Sequence, residues 1–168
     1  MEKVISIGKQ NFASLRENHY FFVDKSHFIK DWWENGDEIT LITRPRRFGK
    51  TLNMSMLDCF FSNKYAARGD LFEGLGVWKE EKYRELQGKY PVIFLSFAAV
   101  KADQLSEAKI QIKQQIARVY EENRYLLDGD LLSGNEKKAY NEVNLHMGDA
   151  AAAAALNNMS MYLARYYG

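Results

Sequence analysis

The chain has a single cysteine, two prolines and three histidines among its 168 residues. Cys59 alone forms no internal disulfide, and His19, His27 and His146 fall at no metal-ligand spacing, so neither a disulfide staple nor a zinc site is expected. Charge of one sign is lacking too. Lys and Arg number 23 against 22 Asp and Glu, a formal net charge of +1, which gives no global pull toward nucleic acid or a membrane surface, so any basic footprint must be local. No apolar run approaches the roughly 18 residues of a membrane span, and the opening MEKVISIGKQ carries no apolar core of signal-peptide length. These absences lead to the expectation of a cytoplasmic protein with no membrane partner. There are no internal repeats.

What is present is ordinary globular material: 46% hydrophobic, 14% aromatic and 27% charged residues. That is too apolar for disorder, and the length suits one domain, since chains of about 150 residues bury roughly 70% of their unfolded surface. Residues 9–18 read as a short helix capped by Asn11, with Phe12 and Leu15 inward, and residues 20–23 as a short aromatic strand. Ser26 is placed to cap a helix carrying Phe28, Ile29, Trp32 and Trp33 that Gly36 stops, its tryptophans lying over a sheet. Residues 39–43 form the next strand. The run 51–61 is apolar on most sides of a helix and is therefore buried, and Cys59 within it is a small core residue with no chemistry. Residues 62–89 are polar and broken by glycines, with Leu71, Phe72 and Trp78 as anchors and a short helix near 80–86.

Residues 91–97, PVIFLSF, have the continuous apolar character of a strand buried on both faces in a parallel sheet. Asp103 is placed to cap a long helix with Leu105, Ile112, Ile116, Val119 and Tyr120 on one stripe. Further helices are read over 135–145 and after Asp149, which is placed to cap the last one. The six alanines 150–155 favour helix but specify no packing face. Alternating strands and helices argue for an α/β layered fold with a small, mostly parallel sheet flanked by helices. Two firm strands and one weaker one make a thin sheet, only part of one. Its uncovered edge leads to an expectation of self-association.

Residues 38–61, EITLITRPRRFGKTLNMSMLDCFF, carry the chemistry. An apolar segment, a basic turn, Gly49-Lys50-Thr51 and a helix follow in the order of a phosphate-binding loop. Setting the end of the G-x-x-x-x-G-K-[ST] pattern on these three residues puts Arg44 where the first glycine belongs. The other positions keep their roles: Gly49 lets backbone approach phosphate oxygens, Lys50 reaches the β and γ phosphates, and the Thr51 hydroxyl is placed to ligate Mg²⁺. The helix start aims its N–H groups and positive dipole end at the same spot. The plainer reading is a turn ahead of a core helix. Arg44, Arg46, Arg47 and Lys50 form a cationic cluster that suits a triphosphate, a local nucleic-acid patch or a solvated basic loop. No Mg²⁺-binding Asp closes an apolar strand: residues 91–97 end in Leu95-Ser96-Phe97, and Asp128 and Asp130 follow only Leu126 and Leu127.

Taken together, YFFVDKS at 20–26, ITLITRPRRFGKTL at 39–52 and VIFLSF at 92–97 resemble the AAA-ATPase-like family of bacterial proteins, in which a P-loop domain is commonly followed by a PD-(D/E)XK nuclease-like domain. The opening residues 4–8 look like the family's start, with Ser6 where a proline is usual. The resemblance covers essentially the whole chain, and arginine at position 44 is usual in it. It implies a partial P-loop NTPase-type fold with Arg46, Arg47, Phe48, Gly49, Lys50, Thr51 and Leu52 in the nucleotide-contacting turn, Lys50 as the catalytic cation, Thr51 as the Mg²⁺ ligand, and ATP and Mg²⁺ as cofactors.

In the family the last helix runs into an apolar strand ending in an acidic pair. The resemblance thus implies that residues 1–168 are the N-terminal part of the domain, ending before Walker B and without the nuclease-like domain. ATP hydrolysis is expected in the intact parent, with little or no turnover in this chain. Nucleic acid would meet the parent through its nuclease-like domain. Asp24-Lys25-Ser26 matches the family and by position lies near the nucleotide's base or sugar; a turn residue and a helix cap explain the same letters equally well. The alternative function is a non-catalytic interaction module whose basic turn, 44–50, binds nucleic acid or protein.

Overall fold

A computed structural model describes residues 4–43, 45 and 48–168. The chain divides into two compact units, Met1–Val92 and Ile93–Gly168. The first holds helices α1 (Phe12–Glu17), α2 (His27–Asn35), α3 (Lys50–Phe61) and α4 (Glu81–Arg84). The second holds α5 (Leu105–Glu122), α6 (Gly134–Glu142) and α7 (Asp149–Tyr167).

The expected parallel sheet is not there. Among the described residues no strand forms, and the ladder is reduced to a single parallel bridge between Ser62 and Tyr90. Residues 20–23, 39–43 and 91–97 carry no regular strand structure. Ile39 and Leu41, read as buried, are 88% and 82% exposed. The physical reason is that an apolar run describes a segment suited to burial but does not supply the neighbour whose N–H and C=O groups complete a ladder. Phe21 N–H finds the Val4 carbonyl at 2.9 Å, one contact where a sheet needs a series. Residues 91–97 also straddle the unit boundary: Val92 packs on the first core, Ile93 and Leu95 on the second. The fold is therefore helical.

Helix α3 is the centre of the first unit. Met56, Cys59, Phe60 and Phe61 are buried in it. They meet Phe12 of α1, Ile29 of α2, and Leu71, Phe72 and Tyr83 from the glycine-broken connection. Phe72 stacks on Phe12 with centroids 5.1 Å apart and meets Phe60 edge-on at 5.1 Å. Truncating any one of these rings to alanine would cost about 3–5 kcal/mol. The tryptophans expected over a sheet pack instead on the end of α3, Trp32 and Trp33 lying 5.3 and 5.6 Å from the Phe61 ring. Burial pushes the Cys59 thiol up to about 11, with nearby Asp58 adding to it. The thiol stays protonated at neutral pH, as suits a packing residue.

The two ends of α3 are treated differently. At the carboxyl end every orphan carbonyl has a partner. Ser62 N–H donates to the Asp58 carbonyl, Gly88 N–H to Phe60 and Tyr90 N–H to Phe61, at 2.9, 2.8 and 2.9 Å, and the buried Gln87 amide reaches the Cys59 carbonyl at 3.5 Å. The amino end has no side-chain cap, because its N-cap is Gly49.

The second unit is built on tyrosines. Tyr120, Tyr140 and Tyr162 are buried with Leu126, Met159 and Leu163. The hydroxyl of Tyr120 donates to the Ala155 carbonyl at 2.8 Å, and that of Tyr140 to the Tyr120 carbonyl at 2.6 Å. Ala155 is fully buried and Ala151 and Ala152 pack on the core, so the alanine run does specify a packing face. Asp103 does not cap α5, whose N-cap is Gln104. Asp149 is the first residue of α7, behind N-cap Gly148, and receives Lys109 and Lys113, each at 2.7 Å. Those hydrogen bonds, Lys109's first, hold its carboxyl down to about 2.

Candidate functional site

Helix α3 starts at Lys50 because Gly49 turns the chain there, with φ 76° and ψ 19°, a left-handed conformation that a residue with a β-carbon rarely adopts. The Gly49 carbonyl then accepts the first intrahelical bond, from Asn53 N–H at 2.9 Å. The first-turn N–H groups of an α-helix point out along its axis and carry its partial positive charge. Here that end faces a cavity of about 710 Å³, with Gly8, Lys9, Phe48, Gly49, Lys50 and Thr51 among its lining residues. The volume is within the roughly 300–1,000 Å³ of small-molecule sites.

The structure brings five of the seven residues expected at the site to this cavity: Phe48, Gly49, Lys50, Thr51 and Leu52. Phe48 is 59% exposed. Lys50 Nζ lies 3.4 Å from the Pro45 carbonyl, to which it donates. Leu52 packs against the core of the first unit. Arg46 and Arg47, with Arg44, lie outside the described residues. Among the described residues no group of three or more His, Cys, Asp or Glu comes together in a way that could hold a metal ion.

Asp24-Lys25-Ser26 resolves into two jobs. Asp24 is a clamp: its carboxylate accepts Ser26 N–H at 2.8 Å and Gly76 N–H at 2.7 Å. Burial acts to raise its pKa, but the hydrogen bonds from Ser26 and Gly76 outweigh that and hold it below the ordinary carboxylate value. Ser26 occupies the N-cap position of α2 without making a capping bond. Its fully buried hydroxyl instead accepts Val77 N–H at 3.1 Å. Lys25, between these anchors, takes no part in the clamp. Its Nζ lies 3.9 Å from the point where a β-carbon on Gly49 would sit. Sequence spacing gave no sign that Lys25 and Gly49 meet, since the contact depends on the clamp to residues 76–77.

The class defined so far is a helical unit whose central helix opens, at a glycine followed by lysine and threonine, onto a ligand-sized cavity. Residues 6–164 match the family described as predicted AAA-ATPase, AAA-ATPase-like, and the chain belongs to that family. It is also 36% identical over 96 residues to a protein of Azotobacter chroococcum mcd 1 described as "Uncharacterized protein in vnfD 5'region". That match covers 56% of this chain and 17% of the relative, so the chain spans a small part of that protein's length. No solved structure matches. No helix among the described residues is long and apolar enough to cross a membrane.

Proposed function

We propose that the first unit binds a nucleoside triphosphate, ATP, with Gly49, Lys50 and Thr51 around its phosphates. The observation that carries this reading is the asymmetry of α3. Its carboxyl end is closed by Ser62, Gln87, Gly88 and Tyr90, while its amino end, with no side-chain cap, faces a cavity of about 710 Å³. Family membership supports the choice of ATP. In this reading Gly49 lets phosphate oxygens approach the backbone, the first-turn N–H groups donate to them, and Lys50 adds a formal charge. By sequence Arg46 and Arg47 are accessory cations, and Phe48 and Leu52 line the cavity.

Mg²⁺ fits as an ion carried on the phosphates. Among the described residues the lining offers the Thr51 hydroxyl and the Gln10 amide oxygen but no carboxylate, and Mg²⁺ commonly keeps several waters and binds through few protein ligands plus substrate phosphates. Bound there, it would neutralise charge on the phosphate oxygens. Hydrolysis, by attack of water on the γ-phosphate with Lys50 stabilising the developing charge, is proposed for the whole protein.

The test is a titration of the chain with a fluorescent ATP analogue and Mg²⁺. Lys50→Ala is expected to weaken binding at least roughly tenfold, the scale of one charge-assisted hydrogen bond. Wild type binding no tighter than Lys50→Ala would sink the reading. DNA retention that is lost at high salt, and on changing Arg46 and Arg47 together, would instead favour a nucleic-acid module.

A further inference from the structure

We infer that Lys25 is a second cation of the nucleotide site, contacting phosphate beside Lys50; this rests on the nucleotide reading above. Three observations meet at this residue. The first is position: Lys25 Nζ is 3.9 Å from where a β-carbon on Gly49 would sit, beside the backbone that an anion at the start of α3 would approach. The second is fixation. Asp24 and Ser26, on either side, are tied to the backbone N–H groups of Gly76 and Val77, and the Lys25 carbonyl accepts Phe28 N–H at 3.0 Å. The backbone at Lys25 is therefore held by the fold while its ammonium is left available.

The third is charge. Lys30, Lys82, Lys109 and Lys113 are each paired with a carboxylate, and Lys9 donates to Ser14 and lies over the Tyr20 ring. Lys25 has no hydrogen-bond or ion-pair partner for its ammonium among the described residues. An unpaired, exposed ammonium beside the positive end of α3 gains little there without an anion and is well placed around a polyphosphate. Lys25 and the start of α3 together therefore suit an anionic ligand, which a triphosphate supplies and a nucleoside does not.

The experiment titrates the full chain with the fluorescent ATP analogue and Mg²⁺, using wild type, Lys25→Ala, Lys25→Gln, Lys25→Arg and Lys50→Ala, with inorganic triphosphate as competitor. Lys25→Ala and Lys25→Gln are expected to weaken the analogue and the triphosphate in parallel by roughly tenfold, with Lys25→Arg restoring most of the loss. The thermal midpoint should stay at the wild-type value, because the side chain is exposed. Two outcomes overturn the inference while leaving the nucleotide reading standing: Lys50→Ala weakened with Lys25→Ala and Lys25→Gln at wild-type affinity, or a Lys25 effect on the analogue with no effect on triphosphate, which would put the lysine at the base or sugar. Wild type that binds neither probe overturns both.

Discussion

Ser26 shows how much one buried hydroxyl can decide. It sits where a helix cap is expected, yet its oxygen accepts a hydrogen bond from Val77 N–H of the 3₁₀ turn Gly76–Lys79 and leaves α2 uncapped. Ser26→Ala would leave that buried N–H without its partner, at a cost of about 1–3 kcal/mol. Chemical denaturation should show the loss as a lowered midpoint with an unchanged slope; a wild-type midpoint would mean the bond to Val77 contributes nothing. Asp24 adds a pH dependence of defined sign. Its folded pKa is depressed, so the clamp's contribution is present above the unfolded carboxylate value and is lost as pH falls through the lower folded one. Anchoring Lys25 between these two residues makes its backbone position depend on packing more than on its own side-chain contacts.

At the scale of elements, Gly88 is where α3 is closed. A β-carbon there would lie 2.3 Å from Ala66 Cα, and φ is 70°, so any side chain meets both steric conflict and backbone strain. Gly88→Ala must push residues 88–90 away from the Phe60 and Phe61 carbonyls they satisfy. Strain and two lost hydrogen bonds together amount to about 3 kcal/mol. Gly134→Ala is the matched control, since a β-carbon there meets nothing within 4 Å; its melting temperature should be unchanged or slightly raised while that of Gly88→Ala falls by several degrees. Equal melting temperatures for the two variants would contradict this account of the helix end. The same elements show what the sequence reveals. The Asn11 cap, which accepts Ser14 N–H at 2.7 Å, the Gly36 stop and the buried α3 are local signals and could be read directly. The helix read over 135–145 begins late and misses the capping box of Ser133 and Glu136 on which α6 starts. The sheet was misread because apolar character is a property of a segment, whereas a ladder is a property of a pair. The Gly49 turn was legible in the sequence; the approach of Lys25 was not, because it is made by Asp24 and Ser26 reaching residues 76 and 77.

At the scale of the molecule, the described residues form two buried clusters with no residue in common, one on α3 and one on the tyrosines of α5–α7. The tryptophans divide the same way: Trp32, Trp33 and Trp78 all belong to the first unit, and none falls after residue 92. Tryptophan emission therefore reports on the first unit, while far-ultraviolet circular dichroism weighs the long helices α5 and α7 heavily. Met159 is fully buried in the second cluster, and Met159→Ala should cost about 2–5 kcal/mol there through lost burial and the cavity left behind. Separate cores make energetic effects additive rather than shared. The expected result is a circular-dichroism transition shifted to lower denaturant while the tryptophan transition stays where it is in wild type, so that the two probes cease to coincide. Equal shifts in both probes would show that the clusters unfold as one cooperative unit, and a mutation in the second unit would then bear on the proposed nucleotide site through global stability.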